Sequence, residues 1–397
     1  MTSEKRLAFL FGAGISIPAG YPSTNEISSR VLSGDQIIRH TDGTYYLESE
    51  DPDGMRSFDV PVRRVILLLN KLNLEIENYF LYDIDHYTNY EDIYYVVSQL
   101  HDSILREYEN PITGAFVDSI LPDLHKIIRQ FSNERNEPWS ILELLSESTK
   151  YIRDVIWRML VIKPKQIEYL QRIFESMIDD GIKNIDIFTL NHDILLETAL
   201  SETDISFNNG FSRPINEVRY WHPNLLASDK PGLRLIKLHG SINWFSFPPN
   251  EHTLGLEAIG IPSDWDYWHT INPSGDMQLP NWGRPIYLAG TFNKMMQYTS
   301  DIFADLHCLF RHSLRNIQHL IICGYGFGDK GINSQIVEWM YHSSENHLTI
   351  IHKEPRHLKM NARGVIKKNW DNWSKRGQIS TVESYIEDTS WQEIKNR

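Results

Sequence analysis

Short apolar runs and helix-period patterns alternate along the chain, and their order predicts its architecture. Residues 7–11 (LAFLF) form a buried-strand run that stops at Gly12-Ala13-Gly14, a glycine turn. A short helix is expected from a Ser23 or Thr24 cap to Leu32, with Glu26 in its first turn. Residues 33–60 hold Gly, Asp, Pro and Thr without a clear period and read as loop, with room for one hairpin. From about 61 to 180 the pattern turns helical. Val65, Leu68, Leu69, Leu72 and Ile76 share one face, as do Ile93, Val96, Val97, Leu100 and Ile104, and then Ile152, Val155, Ile156 and Met159. Five amphipathic helices are expected there. Strand-length runs follow at Ile185–Leu190, Leu233–Leu238, Pro285–Ala289, Leu320–Cys323, His347–Ile351 and Gln378–Val382, separated by helical or loop segments. Such runs predict parallel strands buried on both faces. The expected fold is therefore α/β, a doubly wound parallel sheet built from residues 1–34 and 184–397. A mainly helical domain, 35–183, is inserted into it.

The chemistry-bearing residues cluster at the carboxyl ends of these strands, where open α/β sheets bind ligands. The turn Gly12-Ala13-Gly14-Ile15-Ser16 would let backbone N–H groups approach a phosphate, although a plain tight turn reads equally well. It is not the dehydrogenase fingerprint, because Ile17 stands where the third glycine belongs. Thr189-Leu190-Asn191-His192-Asp193 puts a carboxamide and a carboxylate at one strand end; capping of the next helix is the simpler alternative. His239-Gly240 after Leu238 offers a general base, and an imidazole held only for structure is the plain reading of one histidine among sixteen. Gly324, Tyr325, Gly326 and Gly328, followed by Asp329, form a second glycine loop before a helix. His352-Lys353-Glu354-Pro355 closes another strand.

Composition narrows the class. At 397 residues, 41% hydrophobic and 23% charged, the chain has material for one large or two modest globular domains. No apolar run reaches eighteen residues and no signal peptide is evident, so a cytoplasmic protein without a membrane span is expected. Two cysteines, Cys308 and Cys323, cannot build a four-thiolate zinc site; no zinc module and no metal are expected. A net charge of −13 argues against a broad nucleic-acid surface.

The order of motifs resembles the sirtuin family: GAGIS with a following proline, T-x-N-x-D, HG, a glycine-rich loop, then I-x-x-E-P. It is most similar to the prokaryotic antiphage-defence branch, over residues 5–32 and about 184–390. The resemblance implies a Rossmann-like sheet that takes NAD as substrate. It places Gly12, Ala13, Gly14 and Ser16 near the phosphates, and Gly324, Tyr325, Gly326 and His352 along the nicotinamide-side phosphate and the adenosine ribose. It makes Asn191, Asp193 and His239 the catalytic set. Deacylases of the family carry Asp-Phe-Arg after GAGIS, where Ser23, Thr24 and Asn25 stand here, and a strand-end Asn where this chain has His352. They also carry the four-cysteine zinc module. These departures favour NAD hydrolysis, with a protein deacylase or a non-catalytic NAD or ADP-ribose-binding assembly module as alternatives. The resemblance further implies an effector that depletes NAD, a homo-oligomer, and control by a partner such as a HerA-type ATPase.

Overall fold

The computed structural model describes residues 6–50, 60–80, 87–107, 111–130, 139–182, 184–203, 205–226, 231–249, 257–263 and 266–397. Its central sheet has seven strands: β1 (Arg6–Phe11), β2 (Asn184–Thr189), β3 (Phe207–Asn208), β4 (Gly232–Lys237), β5 (His319–Cys323), β6 (His347–Ile351) and β7 (Ile379–Val382). They lie in the order β7-β6-β5-β1-β2-β4-β3, and every neighbouring pair is parallel. The middle of each long strand is fully buried, which is why the sequence shows continuous apolar runs instead of alternation.

Register sets the site. Phe11 pairs with Cys323 on one side and Thr189 on the other, Thr189 with Lys237, Cys323 with Ile351, and Ile351 with Val382. Six strands thus end in line, and the turns that leave them sit along one edge. After β1 the chain fills one flank of the sheet and then crosses to β5 on the other, so the switch point lies between β1 and β5.

One expected strand is absent from the sheet. Pro285–Ala289 lies against the turn that leaves β4: Ser241 N donates to Ile286 O at 3.0 Å, Ile286 N to Trp244 O at 2.7 Å, and Leu288 N to His239 O at 2.8 Å. Periodicity reports that a run is buried, not which backbone it pairs with. The sheet's seventh place goes to the two-residue β3, too short to leave a pattern. Beneath the edge, Asp186 of β2 accepts two bonds of 2.7 Å from Arg234 of β4 and a bond from the Ser313 hydroxyl, tying the sheet to helix Asp301–Arg315.

The chain divides into two compact units. One comprises Met1–Tyr21, Ile162–Leu288 and Met295–Arg397; the other comprises Pro22–Val161 and Ala289–Lys294. These boundaries differ at both ends from the 35–183 expected for the insertion. Helix Thr24–Ser33 packs on Val60–Tyr79, Tyr90–Leu105 and Ile141–Leu160, whereas Glu168–Asp179 packs on Leu195–Ser201 and Trp391–Lys395. Five helices fall in the 61–180 stretch among the described residues, as its periodicity predicts. Ser23 caps the first helix in a capping box with Glu26. The hairpin Ile37–Arg39/Tyr45–Leu47 is fastened to Ile141–Leu160 by Arg39 and Tyr45 on Glu147, at 2.9 and 3.0 Å.

Candidate functional site

The turns after β1 and β5 interlock. Gly12 N donates to Cys323 O and Gly14 N to Gly324 O, both at 3.0 Å. A Cβ on Gly12 would stand 2.5 Å from Gly324 O, one on Gly14 2.7 Å from Gly324 Cα, and one on Gly324 2.5 Å from Ile15 N. Gly324 also sits at φ +69°, a left-handed conformation that favours glycine. The glycines of the first turn therefore serve the approach of a second loop. The sequence suggested that their N–H groups face a ligand; at Gly12 and Gly14 those groups are already bonded.

Beside this junction lies a cleft of about 420 Å³, within the range of small-molecule pockets. Of the residues expected at the cofactor, Gly14, Gly324, Tyr325, Gly326 and His352 line it, whereas Gly12, Ala13 and Ser16 do not. The Tyr325 hydroxyl is engaged inside its own loop, donating to Asn333 Oδ1 at 2.8 Å and accepting from Asp329 N at 3.2 Å. His352 Nδ1 accepts from Glu354 N at 2.9 Å, and burial lowers the imidazole's pKa from its ordinary value. Ser384, Tyr385 and Glu387, which also line the cleft, carry no sequence signal beyond following the last strand.

Asn191, Asp193 and His239 do not line that cleft; they form the buried edge behind the glycine junction. Asn191 Nδ2 donates to Gly12 O at 3.1 Å and to Ser16 Oγ at 3.0 Å, and Ser16 Oγ donates to Asp193 Oδ2 at 2.8 Å. The other oxygen of Asp193 accepts from Leu195 N at 3.0 Å, at the start of the next helix. One side chain thus ties the first glycine turn to the start of the next helix. Burial raises the Asp193 pKa, opposed chiefly by the Lys237 ammonium. Asn191 Oδ1 is buried with no hydrogen-bond partner, an acceptor left over for an incoming donor.

His239 stands on the adjacent strand end, its ring 6.3 Å from that of His192, the residue next to Asn191. Its Nε2 lies 2.9 Å from the Tyr298 hydroxyl and 3.3 Å from Asp329 Oδ2. Nothing in the sequence singles out Tyr298; Asp329 was visible only as the end of the glycine loop. His307 stacks on Tyr298 with ring centroids 3.7 Å apart and bonds Leu238 O through Nε2 at 3.2 Å.

Burial, helped by nearby His239, pushes the His307 pKa down to about 3. The folded protein therefore holds fewer protons here than the unfolded chain below the ordinary histidine value of about 6.5. Stability from this group is full above that value and is lost as pH falls toward about 3. His307→Gln is expected to flatten the fall in unfolding free energy between pH 7 and pH 5, read from urea titrations, by up to ~2 kcal/mol. Parallel slopes for variant and native protein would contradict this.

Among the described residues no group of three or more His, Cys, Asp or Glu side chains is placed to hold a metal, and no helix is long and apolar enough to cross a membrane. A parallel sheet with glycine turns locked at its switch point defines the Rossmann-like α/β class. Within that class, residues 186–374 match the model of the SIR2-like domain. Similar solved structures include a Sir2 homologue–NAD complex, at 10% identity over 99% of this chain and 90% of that one, TM-score 0.38. Two Sir2 homologue variants, one with ADP ribose (12% identity) and one with 2′-O-acetyl ADP ribose (11%), each cover 99% of this chain and 92% of theirs, TM-score 0.37. No curated protein matches.

Proposed function

We propose that the protein binds NAD across the carboxyl edge of its sheet and hydrolyses the nicotinamide–ribose bond. One observation carries the reading: in-register strand ends bring the Asn191 amide onto the first glycine turn and set His239 on the next strand end. The cleft suits a phosphate-bearing nucleotide, because Gly326 has open space around it and Gly14, Gly324 and Gly326 are among its lining residues. His352 and the 384–387 wall would take the adenosine side.

In the reaction the C1′–N bond breaks and its electron pair leaves with neutral nicotinamide, so no strong acid is required. Water forms the new bond to C1′ through an oxocarbenium-like transition state, yielding ADP-ribose. His239 accepts the proton the water loses. Asn191, through its unpartnered Oδ1, would orient that water or a ribose hydroxyl. Asp193 has both oxygens engaged and a raised pKa, so its proposed part is to hold Ser16 and the turn, not to touch substrate.

The resemblance to defence-associated sirtuins supports an antiphage effector that depletes NAD, with assembly into homo-oligomers and a HerA-type ATPase supplying control. The second reading, a non-catalytic NAD or ADP-ribose-binding module, is favoured by the burial of Asn191 and His239, 7% and 3% exposed, behind the open cleft. Purified protein incubated with NAD, alone and with the ATPase, is expected to release nicotinamide and ADP-ribose on chromatography. ADP-ribose binding without nicotinamide release in either condition would establish the module instead. Turnover that requires an acetyl peptide would establish a deacylase.

A further inference from the structure

We propose that Asp329, together with Tyr298, is the positioning residue that fixes the tautomer of His239; the inference rests on His239 acting as base. The geometry divides the Asp329 carboxylate between two tasks. Oδ1 accepts from Gly331 N at 2.9 Å and Ile332 N at 3.0 Å, capping helix Lys330–His342. Oδ2 accepts from the Tyr298 hydroxyl at 2.6 Å and lies 3.3 Å from His239 Nε2. The helix cap locks the carboxylate, and the carboxylate aims the phenol and the imidazole.

With the Tyr298 proton committed to Asp329, its oxygen is left as an acceptor, 2.9 Å from His239 Nε2. Two oxygens, one phenolic and one anionic, then face the same ring nitrogen. That favours the proton on Nε2 and puts the basic lone pair on Nδ1. The carboxylate also stabilises the imidazolium formed when the base takes a proton, in a buried site where water screens little. Two imidazoles also stand near His239: His192 at 6.3 Å between centroids, and His307, held neutral behind Tyr298. Asp329 is an anion beside the ring.

The glycine loop thereby acquires a second purpose. The segment that lines the cleft with Gly324 and Gly326 ends, three residues later, on the carboxylate that orients the base. The wall of the cleft and the placement of the imidazole are carried by one short stretch of chain.

Asp329→Asn separates these roles. The amide oxygen can keep the cap, while Nδ2 replaces Oδ2 and donates toward His239, forcing the proton to Nδ1. Ring 15N shifts of selectively labelled histidine, assigned with His239→Gln, are expected to report the Nε2–H form in the native protein and the Nδ1–H form in Asp329→Asn. Tyr298→Phe, which leaves the cap intact, is expected to give a mixture. NAD turnover in Asp329→Asn is expected to fall about 10²-fold or more in kcat, with KM nearly unchanged. Identical His239 shifts in native protein and both variants would overturn the inference. The tautomer is read without substrate, so a native protein that never cleaves NAD would defeat the hydrolase reading alone.

Discussion

Replacing His239 or Asn191 with Ala is expected to lower NAD cleavage by about 10²–10⁴-fold, the range for loss of a positioned base or orienting group. The two losses have different origins. His239→Ala removes the proton acceptor and leaves the Tyr298–Asp329 bond and the helix cap in place, so unfolding and ADP-ribose affinity should change little. Asn191→Ala removes an acceptor near the reacting centre and also two bonds that brace the first glycine turn. That variant is expected to lose about 1–3 kcal/mol of stability as well. Asn191→Asp offers a control: it keeps an oxygen but cannot donate to Gly12 O, and it places a second carboxylate near Asp193. Single-turnover nicotinamide release, read beside urea unfolding and ADP-ribose calorimetry, separates the contributions. Retained turnover in both alanine variants would end the hydrolase assignment.

The sheet was legible because its strands are buried on both faces, so each appears as an apolar run closed by a small or polar residue. The same rule failed at Pro285–Ala289, equally apolar but paired with the 239–244 turn, and at Phe207–Asn208, where two residues leave no period. The helical stretch was legible in its helices and less so in its limits. Nothing local tells helix Thr24–Ser33 to join the helical unit or Glu168–Asp179 to stay with the sheet; packing decides both. At the site, the motif positions fell on adjacent strand ends, since strand termini are encoded where hydrophobicity stops. What each motif residue does there was not encoded. Gly12 and Gly14 read equally as a phosphate cradle or a plain tight turn, and their N–H groups are bonded to a neighbouring loop. Asp193 read as a catalytic carboxylate and has both oxygens occupied by Ser16 and a helix start. Tyr298 lies far from every motif in sequence and touches two of them in space. Roles of this kind depend on long-range partners.

Gly324→Ala is expected to destabilise the protein by about 2–4 kcal/mol and to abolish ADP-ribose binding. Two costs combine at this position. The residue occupies φ +69°, where an alanine is strained, and its Cβ would lie 2.5 Å from Ile15 N and 2.7 Å from Gly12 O. Those neighbours are backbone and cannot turn aside, so one turn must separate from the other. That breaks the Gly14 N–Gly324 O bond and displaces the first turn, whose Gly12 carbonyl holds Asn191. Gly326→Ala has the opposite profile. Its Cβ would meet nothing within 4 Å and its position lines the cleft, so the fold should hold while a methyl group intrudes on the ligand. Gly328→Ala, also in open space but off the lining, should change neither. Thermal unfolding and calorimetry with ADP-ribose on the three variants give the pattern: both lost, binding alone weakened, both kept. Native-like melting of Gly324→Ala would show that the junction tolerates what its geometry forbids. Native-like binding by Gly326→Ala would place the ligand elsewhere than this cleft.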